Sequence, residues 1–394
     1  MNELKIGART LCTCLGRGMA AQRDALLAER TGLRPMDFDG VGPNTWVGRV
    51  SGVEDVRLPT SLRDYECRNN RLALLAIETD GFAAAVRRAV LNYGATRIGL
   101  FIGTSTSGIQ QSELAYAARN PGESALPGDF RYATTHDLFS VAGFARNVLG
   151  LRGPAHIVST ACSSSAKVFG AARRFIHAGF CDAAVVGGVD SLCLMTLYGF
   201  NSLQLVSDRP CRPADRSRNG LTIGEAAGFV LLEPRSADTE ICLLGYGESS
   251  DAWHMSTPSP DGAGMARAIR AALDCANLGP DQIDYINLHG TATRANDVTE
   301  DKAVHGIFEG CAPCSSTKGF TGHALGAAGI VEALFCCLAI ENQVAFRSLN
   351  TVDVDAAIRS PILLETQSKP ITNVMSNSFG FGGSNTSLAL GRPP

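Results

Sequence analysis

Short apolar runs that end in glycine, serine or threonine alternate along this chain with longer stretches of helical spacing. Residues 4–7 open the pattern as a strand, and 18–29 follow as a helix. Residues 61–93 read as helical, with Arg63, Arg68 and Arg71 on a run otherwise rich in leucine and alanine. The segment RIGLFIG at 97–103 is apolar throughout, as a strand covered on both faces would be. Residues 109–150 make a long excursion with helical pieces and a Pro/Gly-rich tip at 120–127. A strand at 155–158 then leads into a helix whose apolar stripe is Ala166, Phe169, Ala172 and Ile176. Strands at 183–188 and 226–233 close this part, on either side of a loop-rich segment at 200–220.

From residue 241 the pattern starts again: a strand at 242–246, a helix at 264–278 and a strand at 283–288. An apolar strand ends in GTST at 103–106, and another ends in GTAT at 290–293. Each is followed by a further strand and a helix start rich in serine, glycine and alanine, at 159–170 and at 315–329. Each half then closes on a glycine-rich strand end, 185–189 and 374–383. The economical reading is two α/β halves of one plan, 1–240 and 241–394, the first enlarged by the insertion at 109–150. Packed side by side, they would give a duplicated, five-layered αβαβα body.

Composition narrows the classes of function. A net charge of −3 argues against nucleic-acid binding, which would show a basic excess. The first twenty residues lack the apolar segment of a signal peptide. No apolar run reaches the roughly 18 residues of a membrane span, and the longest candidate, 327–340, is interrupted by Glu332. Thirteen cysteines without an export signal read as reduced thiols of a cytoplasmic protein. Cys311 and Cys314 form a single C-x-x-C without the second pair a zinc site needs, so no metal is expected. Glycine makes up 42 of 394 residues, well above the average of about 7%. Tight turns at strand ends are the implication.

Four stretches carry candidate chemistry. In STACSSSAK at 159–167, Cys162 stands where a strand turns into a helix. Unpaired N–H groups and the macrodipole at a helix start favour negative charge, and the thiolate is the nucleophilic form of cysteine. His289 stands at the carboxyl end of its strand, where α/β folds keep their sites. Lys318 and His323 lie five residues apart in a glycine-rich turn entering a helix. The loop NSFGFGGSN at 377–385 leaves few side chains to obstruct a ligand.

TACSS, SSDAWHM, HGTAT, KGFTGHALGAAGIVE and SNSFGFGGSN occur in one order. In that order they resemble the β-ketoacyl-[acyl-carrier-protein] synthases of the thiolase superfamily. The resemblance covers nearly the whole chain and is weakest over the first 95 residues. GEAAG at 224–228 and Ser384 are small departures, since relatives commonly carry another glycine and a threonine there. The resemblance implies a thiolase-like fold and a decarboxylative Claisen condensation. An acyl group passes to Cys162, and malonyl-carrier protein loses CO₂ and attacks it. It further implies N–H groups of Cys162 and Phe381 around the oxyanion, with His289 and His323 donating to the enolate oxygen. Lys318 would orient His323, and Glu332 would hold Lys318. Thr291 and Thr293, with Ser256, would meet the pantetheine arm. Phe381, between Gly380 and Gly382, would gate an acyl pocket to which Ile109 and Phe200 also belong.

The partners implied are an acyl carrier protein, docked by Arg63, Arg68 and Arg71 or by Arg212, and a second subunit. That subunit is expected to be a second copy, with a related heterodimeric partner as the alternative. No separate cofactor is implied, because substrates arrive on the carrier's 4′-phosphopantetheine. A coenzyme-A-dependent thiolase and a non-catalytic chain-length-factor-type subunit are the competing readings. The second histidine disfavours the former, and Cys162 disfavours the latter.

Overall fold

Two sets of five strands repeat one topology in the computed structural model, which describes residues 3–38, 42–120, 122 and 124–393. The first set comprises β1 (Leu4–Thr13), β2 (Ile98–Gly103), β3 (Ala155–Val158), β4 (Ala183–Asp190) and β5 (Ala226–Pro234). The second comprises β6 (Cys242–Ser250), β7 (Tyr285–Asn287), β8 (Cys314–Ser315), β9 (Asn373–Gly380) and β10 (Ser384–Gly391). Their spatial orders are β3-β2-β4-β5-β1 and β8-β7-β9-β10-β6. In each set two parallel pairings are followed by two antiparallel ones. The repeat seen in the motifs is therefore a repeat of sheet topology. The sets join where Leu4 and Lys5 of β1 pair with Leu243 and Cys242 of β6.

The helices are α1 (Met19–Leu27), α2 (Arg68–Ile77), α3 (Phe82–Tyr93), α4 (Ile109–Ala117), α5 (Ser140–Leu149) and α6 (Ser164–His177). They continue as α7 (Leu194–Ser202), α8 (Ala263–Ala276), α9 (Arg294–Phe308), α10 (Lys318–Thr321) and α11 (Ala328–Asn342). Helices α6 and α11 contact each other and both sheets, and so form the middle of five layers. Helices α2, α3 and α5 cover the outer face of the first sheet, and α8 and α9 that of the second. Each outer interlayer space holds its own apolar cluster, and a third cluster fills the two spaces on either side of the middle helices. Helix α11 is apolar on all sides because sheets flank it, and every residue from Ala328 to Ile340 is buried. Among the described residues, 325–342 is the one helical segment long and apolar enough to cross a membrane. It is packed inside the molecule.

Several expectations change in detail. The helical run at 61–93 is divided into a short 3₁₀ turn, α2 and α3. Helices α7 and α9 occupy segments whose sequence shows no clear apolar stripe. The tip at 120–127 includes Pro121 and Glu123, which lie outside the described residues. The largest correction concerns Arg68, expected on a docking surface. Its side chain is only 6% exposed. Its Nε and Nη2 donate to the two oxygens of Glu225 at 2.8 and 2.5 Å, and its Nη1 pairs with Glu54. Glu225 is itself buried and accepts the N–H groups of Val50 and Leu192, each at 2.9 Å. A charge so enclosed is held by its partners and offers nothing to a carrier protein. Arg71 is partly exposed but paired with Glu66, while Arg63 remains at the surface.

Removing one member of a buried, hydrogen-bonded ion pair strands the other. Arg68→Ala should therefore lower unfolding free energy by about 3–5 kcal/mol. Urea denaturation would register this, and a loss no larger than that of Arg71→Ala would show that the pair contributes little.

Candidate active site

The nucleophile candidate is reached through a strained turn. Strand β3 ends at Val158 and α6 begins at Ser164, and Ala161 between them adopts φ +51°. A left-handed alanine costs on the order of 1–3 kcal/mol, so surrounding groups must hold it. The serines do this. Ser163 Oγ donates to Thr160 O at 2.8 Å, and Ser164 Oγ donates to Ala161 O at 2.5 Å while accepting the N–H of Thr160. Ser163, Ser164 and Ser165 are buried, so they are struts of the turn. The glycine loop then passes directly over it. A Cβ on Gly380 would lie 2.9 Å from Thr160 O and 3.2 Å from the N of Cys162, which no larger residue tolerates.

Cys162, His289 and His323 converge from the two halves. Their Sγ and ring nitrogens lie within 4.8 Å of one another, all buried. His323 Nε2 stands 3.0 Å from Sγ, and its Nδ1 accepts the N–H of Leu325 at 3.2 Å. With Nδ1 occupied as an acceptor, a neutral ring carries its proton on Nε2, facing the sulfur. The same logic holds for His289. Lys318 Nζ donates to His289 O at 2.5 Å and lies 3.5 Å from His289 Nδ1. The ammonium has no lone pair, so Nδ1 accepts and Nε2 again carries the proton. Burial and the Lys318 charge push both histidines well below the ordinary value, so both are neutral. The centre is thus one thiol and two N–H donors. Three such ligand types could hold a metal ion by distance alone. Their protonated nitrogens and the neighbouring ammonium suit an anion instead.

Burial pushes the Cys162 thiol up to about 12, against the pull of Lys318 and of the Phe381 N–H, which points at the sulfur. The sequence argument from the helix start favoured the thiolate. Desolvation outweighs it in the resting protein. Lys318 pairs with Glu332 of α11, both 2% exposed, and burial raises the Glu332 carboxyl to about 7. Lys318 therefore contacts His289 and Glu332, not the nearer-numbered His323.

A cleft of about 180 Å³ opens on Cys162, and Thr291, Thr293, Ser256, Phe200, Gly380 and Gly382 help to line it. The Phe200 and Phe381 rings lie 5.6 Å apart across it. The Thr291 and Thr293 hydroxyls are 2.9 Å apart. Ile109 is not on this lining; it begins α4, which packs on α7. Arg212 lies away from it and binds Ser217 Oγ.

Supporting residues escaped the sequence reading. Glu300 of α9 accepts the N–H groups of His289 and Gly290 at 2.7 and 2.8 Å. Asp297 accepts those of Ala214 and Ala292, and Asp301 those of Arg359 and Ser360. The acidic face of α9 is thus its inward face, pinning loops around His289. The spacing 297, 300 and 301 on one side of a helix is the signal that was available. Fully buried Asp190, at the end of β4, is the other omission.

A duplicated thiolase-like fold in which one cysteine and two histidines from the two halves meet in one cleft defines an acyl-transferring condensing enzyme. Residues 73–238 match the β-ketoacyl synthase N-terminal domain, and 241–352 its C-terminal domain. The 3-oxoacyl-[acyl-carrier-protein] synthase 2 of Rhizobium meliloti (strain 1021) is 38% identical over 313 residues, 75% of this chain and 74% of that protein. The Staphylococcus aureus (strain COL) protein of the same name is 34% identical over 313 residues, 75% of each. A chain of the ketosynthase ApeO in complex with its chain length factor ApeC, from Xenorhabdus doucetiae, matches at TM-score 0.91 and 36% identity. That match covers 100% of this chain and 98% of the other. A β-ketoacyl synthase from Burkholderia phymatum STM815 matches at TM-score 0.88 and 27% identity over 100% of both. The chain belongs to the β-ketoacyl synthase family.

A thiol held up by burial, beside neutral histidines, predicts a simple pH response. Iodoacetamide alkylation of Cys162 should rise steadily from about pH 6 to about pH 9, with no plateau near the ordinary histidine value of about 6.5. Lys318→Ala should slow it. Peptide mass mapping separates Cys162 from exposed Cys311, and a plateau below about pH 7 would reveal an imidazolium–thiolate pair instead.

Proposed function

We propose that Cys162 accepts an acyl group from a carrier-protein thioester and that His289 and His323 generate the malonyl-derived nucleophile beside it. The observation that carries this reading is the convergence of one thiol and two Nε2–H donors on a single cleft. In the first step Cys162 sulfur bonds to the thioester carbon. The carrier's C–S bond breaks, and the carrier thiol leaves with the cysteine proton. The N–H groups of Cys162 and Phe381 hold the tetrahedral oxyanion.

In the second step malonyl-carrier protein breaks its bond to the carboxylate. CO₂ departs, and the electron pair becomes an enolate whose oxygen receives the two Nε2–H bonds. Donors already fixed where charge develops need no reorganisation, and a neutral donor suits an anion that must next react. The enolate carbon attacks acyl-Cys162, the sulfur leaves as a thiolate, and solvent returns its proton. Lys318 supplies positive potential and orients His289, with Glu332 holding it. Thr291, Thr293 and Ser256 receive the pantetheine arm. Phe381, packed on Phe200, swings aside for the acyl chain. No cofactor beyond the carrier's phosphopantetheine is needed.

Two partners follow. An acidic carrier protein would be steered by exposed cations, of which Arg63 is the remaining candidate from the helical run and Arg212 the alternative. A second copy of the chain would join at β3. This strand ends its sheet, and none of its residues is fully buried. Helices α4 and α7, packed on each other, expose Leu114, Tyr116, Met195 and Tyr198. The ketosynthase–chain length factor structure named above is a precedent for pairing two such subunits.

The half-reactions separate the roles. Cys162→Ala should bind no acyl label yet still release CO₂ from malonyl-carrier protein. His289→Ala and His323→Ala should retain acylation while decarboxylation falls by about 10²–10³-fold. Lys318→Ala should follow His289→Ala, the ring it touches. Paired measurement of protein-bound acyl label and released labelled CO₂ decides this; covalent acyl label on Cys162→Ala would refute the nucleophile assignment. Sedimentation should find a dimer at micromolar concentration, and a monomer there would remove the β3 interface.

A further inference from the structure

Asp190 is fully buried at the carboxyl end of β4, and no cationic side chain pairs with it among the described residues. Its charge is met by hydrogen bonds alone. Oδ1 accepts from Thr104 Oγ1 at 2.7 Å, Ser105 N at 2.8 Å, Thr106 N at 2.9 Å and Thr106 Oγ1 at 3.0 Å. Oδ2 accepts from Ser105 Oγ at 2.5 Å and reaches into the other half to accept the N–H of Gly326 at 2.6 Å. A Cβ on Gly326 would stand 2.7 Å from that oxygen, so the approach requires glycine. The two oxygens therefore do different work. One closes the turn after β2, and the other grips the turn that carries His323.

That grip bears on the imidazole. Gly326 follows Leu325, which holds φ +52°, a conformation a leucine does not adopt unaided. In that conformation Leu325 presents its N–H to His323 Nδ1. The backbone of His323 is anchored separately, to Thr222 O at 2.7 Å and to the N–H of Gly224 at 2.9 Å. What depends on the Leu325 backbone, whose far peptide Asp190 holds by the Gly326 N–H and whose near N–H meets Nδ1, is the tautomer and rotation of the ring. We propose that Asp190 is a positioning residue for decarboxylation, holding the Leu325 turn so that His323 presents Nε2–H to the cleft. This rests on the reading of His323 as an enolate donor. It adds that the cysteine-bearing half sets the orientation of a histidine contributed by the other half.

Asp190→Asn isolates the link. The amide oxygen suits the crowded Oδ1 position with its four donors, which puts the NH₂ against the Gly326 N–H, where no bond forms. Decarboxylation of malonyl-carrier protein should then lose kcat towards the order of 10²-fold that loss of one such donor brings, with KM unchanged. Acylation of Cys162 should stay near wild type. Gly326→Ala cuts the same link from the opposite side and should give the same split. It also serves if Asp190→Asn fails to fold, as thermal unfolding will report. If both half-reactions fall together, or neither falls, in the folded variant, the positioning role is wrong. His323→Ala run alongside keeps the inferences apart. If it retains decarboxylation, the donor reading fails; if it loses decarboxylation while Asp190→Asn keeps it, only the positioning role fails.

Discussion

An ammonium group with almost no access to water governs this site. Lys318 sits among His289, the carbonyl of the same residue and Glu332, at 2% exposure. With burial, which acts more strongly, its charge keeps both imidazoles neutral, and it draws the Cys162 thiol down against burial. It also fixes the His289 proton on the nitrogen that faces the cleft. Glu332 makes the burial tolerable, because a buried charge without a partner is costly. Glu332 can reach it only because α11 runs through the middle layer. The chemistry is thus tied to the layering: the helix that looks most like a simple apolar core element carries the counter-ion.

Much of this was legible in order along the chain. Cys162 and His289 announce themselves because strand ends followed by small residues leave a polar side chain at a sheet's carboxyl edge. The two-half plan was legible because duplication repeats turns as well as strands. The failures have physical causes. Lys318 lies five residues from His323 and 29 from His289, yet the intervening turn aims it at the distant ring. Chain proximity is a poor guide where a glycine-rich turn reverses direction. Arg68 read as surface because arginine usually is, but its partners come from residues 54 and 225 and have no local signature.

Helix α9 shows the same effect more broadly. Asp297, Glu300 and Asp301 form a face that composition assigns to solvent. All three are buried, because backbone N–H groups of loops that cannot bond among themselves need acceptors. Asp190 does likewise for the turn after β2. Buried carboxylates in this fold serve as substitutes for strand partners at the places where strands stop. Such a role depends on loops arriving from afar, so it leaves no periodic trace.

The shared middle layer sets how the molecule comes apart. Helices α6 and α11 each lean on both sheets, so neither half owns a complete interior. Separating the halves would expose the largest of the apolar clusters, with each of its buried leucines, isoleucines and phenylalanines worth roughly 1.5–3 kcal/mol. Although the chain has the pattern of two domains, the shared layer is expected to make it melt as one cooperative unit. Cys162 comes from one half and His289 and His323 from the other, so the same global transition would bring them together.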